Sequence, residues 1–291
     1  MIDTSICIYQ KINFKEILKM KELYVKENVT RGKYAYNKSI EKVIISKDVE
    51  KIHSKAFEHC TNLKQVIFEE GSCLKLIGKN AFSRCSNLET VENIPKEIKI
   101  NDYAFAYCYN LSIEELCANK IAHYAFYNSG LKDICIEISG KIYSSAFECC
   151  SSLENVSIFV NKNLTDFMIS NNSFKDCWKL SSFKIYVDSL YDSYKSTSII
   201  PLKICDYAFS NCKKLKEFSA RFITYLAKGC FKGCSSLEKV VFYKTNSIED
   251  NVFSGCSSLT EAHLNYQPLY LFANEDEKSR IFENWKNIII D

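Results

Sequence analysis

Residues 52–68 read IHSKAFEHCTNLKQVIF. An Ala-Phe pair is followed three residues after the Phe by Cys60, then by Leu63, Val66 and Phe68. Taken alone, with His53 and His59 close to Cys60, the stretch has the make-up of a small thiol or metal site. The same frame returns eight more times: IGKNAFSRCSNLETV from 77, INDYAFAYCYNLSI from 100, IAHYAFYNSGLKDI from 121, IYSSAFECCSSLENV from 142, ISNNSFKDCWKLSSF from 169, ICDYAFSNCKKLKEF from 204, LAKGCFKGCSSLEKV from 226 and IEDNVFSGCSSLTEA from 248. The two His occupy variable positions, and only the frame persists.

The anchoring aromatics are Phe57, Phe82, Phe105, Phe126, Phe147, Phe174, Phe209, Phe231 and Phe253, spaced by 25, 23, 21, 21, 27, 35, 22 and 22 residues. A period in the low twenties belongs to a solenoid of short strands, not to helical-pair arrays or propeller blades. In each unit the L-x-x-V-x-I/F run alternates apolar and polar, as in Val66/Phe68, Val156/Ile158, Phe183/Ile185 and Val240/Phe242. That predicts a short strand with one buried face. The I-x-x-x-A-F-x-x-C-x-x-L half turns the corner, its Phe filling the interior and its small Ala and Cys letting neighbours approach. No unit buries its apolar face alone, so each needs neighbours and the ends need caps.

The frame closely resembles the BspA-type leucine-rich repeat, whose motif is similar to I-G-x-x-A-F-x-x-C-x-x-L-x-x-V-x-I-P, over roughly residues 39–265. The resemblance implies an α/β solenoid: a β-rich, right-handed leucine-rich-repeat superhelix with a parallel sheet on the concave side and short helical or irregular segments opposite. It also implies a role in adhesion or protein recognition. The chain departs from the pattern in places. The fourth unit is one residue short and carries Ser129 in the Cys position, the third has an irregular LSIEELC strand, and 186–203 inserts about a dozen residues between units six and seven. Insertions in solenoids map to loops on one face.

Three regions are expected: an N-terminal cap over 1–38, expected to be helical from Ile17, Leu18 and Leu23; the repeats over 39–266, with 39–52 as a starting half-unit; and a C-terminal cap helix over 267–291. In the last, Ile281, Trp285 and Ile288 fall at helical spacing behind Asn274 as N-cap, with Glu277 three residues on.

Composition narrows the function classes. The 291 residues carry 38 Lys+Arg and 35 Asp+Glu, a net of +3. So small an excess argues against nucleic acid or an anionic membrane surface as partner. No run approaches the roughly 18–20 apolar residues of a membrane helix. The 15 Cys are an odd number, six Asn-x-Ser/Thr sequons include sites inside repeats, and residues 1–37 show no secretory h-region. The expectation is a cytoplasmic, reducing setting, with a cell-surface or secreted adhesin as the alternative.

The chemistry-bearing residues are mostly absorbed by the frame. Cys60, Cys85, Cys108, Cys150, Cys177, Cys212, Cys234 and Cys256 all stand three residues after a repeat Phe. One thiol per coil reads as a structural ladder of small buried residues. Zinc would need four converging ligands. The close pairs Cys149/Cys150 and Cys230/Cys234 keep a thiol- or metal-dependent regulator as the alternative from another class. No nucleophile signature, phosphate loop or HExxH motif is present, so no enzyme, no cofactor and no metal are expected.

What remains is surface. The residues flanking the buried strand positions point outward in columns. One reads Gln65, Thr90, Asp133, Asn155, Ser182, Glu217, Lys239 and Glu261, and a second includes Cys135, Ser157, Lys184 and His263. A third presents Phe159, Tyr186, Arg221 and Tyr243 on four successive coils, and aromatics and Arg are enriched at interface hot spots. The expected function is protein–protein recognition by a monomer, on the concave face or the 186–203 insertion, with those four residues as the candidate patch.

Overall fold

The computed structural model describes residues 21–161, 163–187, 201–220, 223–266, Ile281 and 289–290. In chain order the strands are β1 (Glu22–Val25), β2 (Lys42–Ile45), β3 (Lys51–Ile52), β4 (Gln65–Phe68), β5 (Leu76–Ile77), β6 (Thr90–Glu92), β7 (Ile98–Ile100), β8 (Glu115–Ile121), β9 (Asp133–Ile142), β10 (Asn155–Val160), β11 (Phe167–Ile169), β12 (Ser182–Val187), β13 (Leu202–Ile204), β14 (Glu217–Ala220), β15 (Ile223–Leu226), β16 (Lys239–Thr245), β17 (Ser247–Ile248), β18 (Glu261–Tyr266) and β19 (Ile289–Ile290). Every recorded pairing is parallel and joins one coil to the next. The protein is a parallel-strand solenoid.

Each coil contributes two strands and one arch. The first strand is the L-x-x-V-x-I run: in β4, Val66 and Phe68 are buried while Gln65 and Ile67 face out. The second is shorter and leads into the Ala-Phe pair, as β3, β5 and β7 do. In β8 and β9 the two run together into single strands of 7 and 10 residues. The segments expected to be helical or irregular are thus this second strand column and the arch.

The arch has a regular hydrogen-bond logic. In the coil of Phe57, the N–H groups of Ala56, Glu58 and Cys60 donate three residues back, to His53, Lys55 and Phe57. The alternate donors Lys55, Phe57 and His59 reach into the next coil, to the carbonyls of Lys79, Ala81 and Ser83 at 2.7–2.8 Å. Positive φ at Lys55 (60°) and His59 (59°) makes this alternation possible. The same two positions are left-handed in every later arch, among them Asn80/Arg84, Tyr103/Tyr107, Asn172/Asp176 and Gly229/Gly233. Asn and Gly are favoured there because other side chains clash in this region.

Between arches and strands lies a core of stacked rings. Tyr34, Phe57, Phe82, Phe105, Phe126, Phe147, Phe174, Phe209, Phe231 and Phe253 form one continuous file, with neighbouring centroids 5.1–5.6 Å apart. Near-parallel stacking at this separation adds about 0.5–1.5 kcal/mol per pair beyond burial. The file is unbroken, whereas the strand columns are not. The sheets are β1-β2-β4-β6, β12-β10-β9-β8-β7-β5-β3, β11-β13-β15-β17 and β14-β16-β18-β19. Among the described residues, β12 and β14 belong to successive coils yet share no ladder, and the insertion lies between them. A second seam separates the end of β9 from β11, where the Ser170 hydroxyl donates to the Ile142 carbonyl at 2.6 Å.

The N-terminal end differs from the sequence expectation. Residues 22–38, placed in a helical cap, form a full coil. Leu23 and Val25 alternate inward on β1, which pairs with β2, and Tyr34 occupies the Phe position. Period-two burial overrides the helical spacing because β2 offers β1 a ladder. Residues 1–20 lie outside the described residues. At the other end, residues 267–280 and 282–288, with Asn274, Glu277 and Trp285, also lie outside them. Ile281 is buried, its carbonyl accepts the Phe253 N–H at 3.2 Å, and β19 pairs with β18.

Candidate interaction surface

The thiols come first, since the repeat places one in each arch. Every ladder thiol donates to the carbonyl of the aromatic in the preceding coil: Cys60 to Tyr34, Cys85 to Phe57, Cys108 to Phe82, Cys150 to Phe126, Cys177 to Phe147, Cys212 to Phe174, Cys234 to Phe209 and Cys256 to Phe231, all at 3.0–3.2 Å. The ladder is therefore more than a column of apolar pegs, because each S–H brings a second donor to a buried carbonyl that already accepts the backbone N–H three residues on. Burial pushes the thiols of Cys85, Cys108, Cys177, Cys212 and Cys234 up, and that of Cys150 to about 11. Such groups are poor sources of thiolate, the form that attacks or binds metal.

Cys149 and Cys150 turn apart. Cys150 points into the core, while Cys149 is half-buried on the arch, 3.8 Å from the Tyr127 hydroxyl. Cys230 fills the Ala slot and is fully buried, with its thiol held well above the usual range by desolvation. Among the described residues, one group brings three potential ligands within 4.8 Å: Glu148, Cys149 and Asp176. Its carboxylates already have partners, Lys175 at 3.3 Å from Glu148 and the Asn211 amide at 2.8 Å from Asp176.

The outward face of the first strand column carries the candidate patch. Strand register sets Phe159 on β10 directly beside Tyr186 on β12. Their rings stack with centroids 4.6 Å apart and planes within 16°, and they are 39% and 42% exposed. Two large stacked aromatics that exposed are unusual on a strand face whose inward residues are fully buried. Glu137 on β9 completes the row on the other side of Phe159. Tyr243 pairs with Asn265 on the β14–β19 sheet. Arg221 lies outside the described residues, as does 188–200 of the insertion. The structure thus brings two of the four predicted residues into contact.

A model of the BspA type leucine rich repeat region matches the chain in 6 copies, over residues 27–139, 93–198 and 189–288. The chain belongs to the BspA-type leucine-rich repeat family. No curated protein matches it. Among solved structures, this BspA-type protein is similar to a leucine rich cell surface protein from Faecalibacterium prausnitzii A2-165, at 17% identity over 91% of each chain and a TM-score of 0.35. It is similar to a leucine-rich repeat protein from Bacteroides ovatus ATCC 8483, at 20% identity over 84% of this chain and 87% of that one, TM-score 0.36. A third, from Eubacterium ventriosum ATCC 27560, shows 17% identity over 83% and 78%, TM-score 0.40.

Two arch contacts of this BspA-type surface have no counterpart in the sequence reading. Tyr103 and Tyr124, both at left-handed arch positions, stack at 4.8 Å, and Arg84 lies 4.5 Å over the ring of Tyr107. The signal that could have found them is the repeated Tyr two before or two after the Phe. Among outward strand residues, Cys117 and Cys135 sit between Glu115 and Glu137. Burial raises both thiols; Glu115 and Glu137 add to the rise at Cys135, and Glu137 adds to it at Cys117.

Proposed function

We propose that the protein is a non-catalytic recognition module whose first-column sheet face holds a protein partner, centred on Phe159 and Tyr186, with Tyr243 and Arg221 extending the stripe. The observation that carries this is the exposed stacked pair on a rigid parallel sheet. Its backbone is fixed by ladders to β9 and β10, so little ordering entropy opposes binding. Membership of a leucine-rich-repeat family supports a binding role. The absence of a catalytic signature in a chain taken up by its repeats supports the non-catalytic reading.

The test is covalent crosslinking in the source cells with the natural chain and a Phe159→Ala/Tyr186→Ala chain. The expected result is loss of the crosslinked partner with an unchanged thermal midpoint, because both side chains are surface residues. Equal crosslinking of the double variant would refute the patch. On compartment, the cytoplasmic expectation stands against a cell-surface setting, the one named for the Faecalibacterium prausnitzii protein. Digestion of intact cells with external protease separates them, and loss of the protein overturns the cytoplasmic reading.

A further inference from the structure

The row that contains the aromatic pair runs Cys117, Glu137, Phe159, Tyr186 across the adjacent strands β8, β9, β10 and β12. The next row runs Glu115, Cys135, Ser157, Lys184, and Asp133, Asn155 and Ser182 follow on β9, β10 and β12. Adjacent strands stand about 4.8 Å apart. The ring separation of 4.6 Å matches this spacing, so the rings stack along the row and the free face of Phe159 turns toward the strand of Glu137.

Charge adds to the aromatic pair at this part of the face. Elsewhere among the described residues four of its carboxylates have partners: Glu22 has Lys42 at 3.2 Å and Glu261 has Lys239 at 2.6 Å, while Glu69 accepts from the Tyr24 hydroxyl and Glu92 from the Gln65 amide, each at 2.6 Å. Asp133 accepts from the amide of Asn155. Glu115 and Glu137 are exposed, and no Lys or Arg nitrogen among the described residues comes within 4.0 Å of either. Lys184 stands at the far end of the second row.

We infer that this surface takes the cationic side chains of an arginine- or lysine-bearing segment of a protein partner; the inference rests on the recognition role proposed above and names the chemistry of what is recognised. A guanidinium placed between Glu137 and the free face of Phe159 pairs with the carboxylate along its edge and stacks its plane on the ring. Alternate residues of an extended segment stand roughly 6.6 Å apart on one side, so a second cation two residues on comes within reach of Glu115. An acidic segment meets two unneutralised carboxylates and is rejected.

The probe is a blocked, fluorescein-labelled peptide Gly-Arg-Gly-Arg-Gly-Arg-Gly, with a twin carrying citrulline, the uncharged isostere, at each Arg. Both are titrated by anisotropy against the full chain at low salt. The arginine peptide is expected to bind about ten-fold more tightly than its twin, and Glu137→Gln to weaken it about five-fold. Phe159→Ser should remove the preference, and Glu238→Gln, on an exposed residue away from the rows, should leave it unchanged. Equal binding of the two peptides, or an unchanged affinity in both Glu137→Gln and Glu115→Gln, overturns the inference. If Phe159→Ala/Tyr186→Ala loses its crosslinked partner while Glu137→Gln/Glu115→Gln keeps it, recognition at the aromatic pair stands and its cationic chemistry fails. If neither double variant loses the partner, both fail.

Discussion

Cys150 shows how much one side chain does in this architecture. It fills a gap between arches, its thiol donates to the Phe126 carbonyl at 3.0 Å, and the Ser129 hydroxyl lies 3.3 Å away. Replacing it with Ala removes a buried atom and one of the two donors to that carbonyl, the other being the Ser129 N–H, so Cys150→Ala is expected to cost about 1–2 kcal/mol in a urea melt. Cys150→Ser should cost less, since Ser129 already occupies the same position in the neighbouring arch. Alkaline pH is the second test. A thiol whose pKa is raised in the folded protein holds its proton more tightly there than in the open chain. Its contribution is complete below the unfolded value of about 8.5 and is lost as pH climbs toward the folded one, about 11 for Cys150. Each such thiol contributes a slope of about 1.4 kcal/mol per pH unit in that window. Thermal midpoints should therefore fall steeply above pH 8.5, and a midpoint independent of pH between 8 and 10 would contradict the buried ladder. The burial of these thiols was legible in the sequence, because eight occurrences in register leave little else. Their donor role was not, since a small apolar slot and a slot beside a buried carbonyl select the same residue.

At the scale of the element, coils stack so closely that some positions admit no Cβ. A methyl group on Gly140 would fall 1.8 Å from the Asn119 carbonyl oxygen, and one on Gly130 2.0 Å from that of Tyr109. The obstructing atoms are backbone, so relief requires moving a strand. Gly140→Ala is expected to destabilise by more than about 3 kcal/mol, measured by urea unfolding, against a near-neutral Gly71→Asn on an open turn with φ of 74°. The second strand column escaped the sequence reading because two- and three-residue strands such as β3, β5 and β7 are too short to display a period. The first coil escaped it because Tyr34 and Asn37 stand where Phe and Cys are expected. The strands of the L-x-x-V-x-I run, by contrast, show their alternation plainly, and within each sheet neighbouring outward residues such as Asp133, Asn155 and Ser182 share one register.

For the whole molecule, stability is a sum over neighbouring coils, so interruptions matter more than average composition. The ring file and the arches cross the boundary between β12 and β14, but the sheet does not. Amides of β14 should accordingly exchange with deuterium faster than those of β10, which has ladders on both sides. Equal protection would show that the seam carries no weakness. Tyr186 sits on β12, the last strand of its sheet, so the exposed aromatic pair lies at this boundary. The sequence pointed to the pair through its position on successive coils. It left open that the two rings touch, which depends on register and side-chain direction together.

The arch hydrogen bonds also give the molecule a direction. Three backbone donors per arch point toward the C-terminal end, from Gly32, Tyr34 and Tyr36 onward to Gly229, Phe231 and Gly233. Along the arches the two ends of any run of coils are consequently unlike, one showing unmet N–H groups and the other unmet carbonyls. Cut between coils, a fragment would carry mutually complementary faces and join head to tail into open filaments, while head-to-head association would bring like groups together. The carbonyl of Ile281, which accepts the Phe253 N–H, meets one donor of the last arch from within the chain itself.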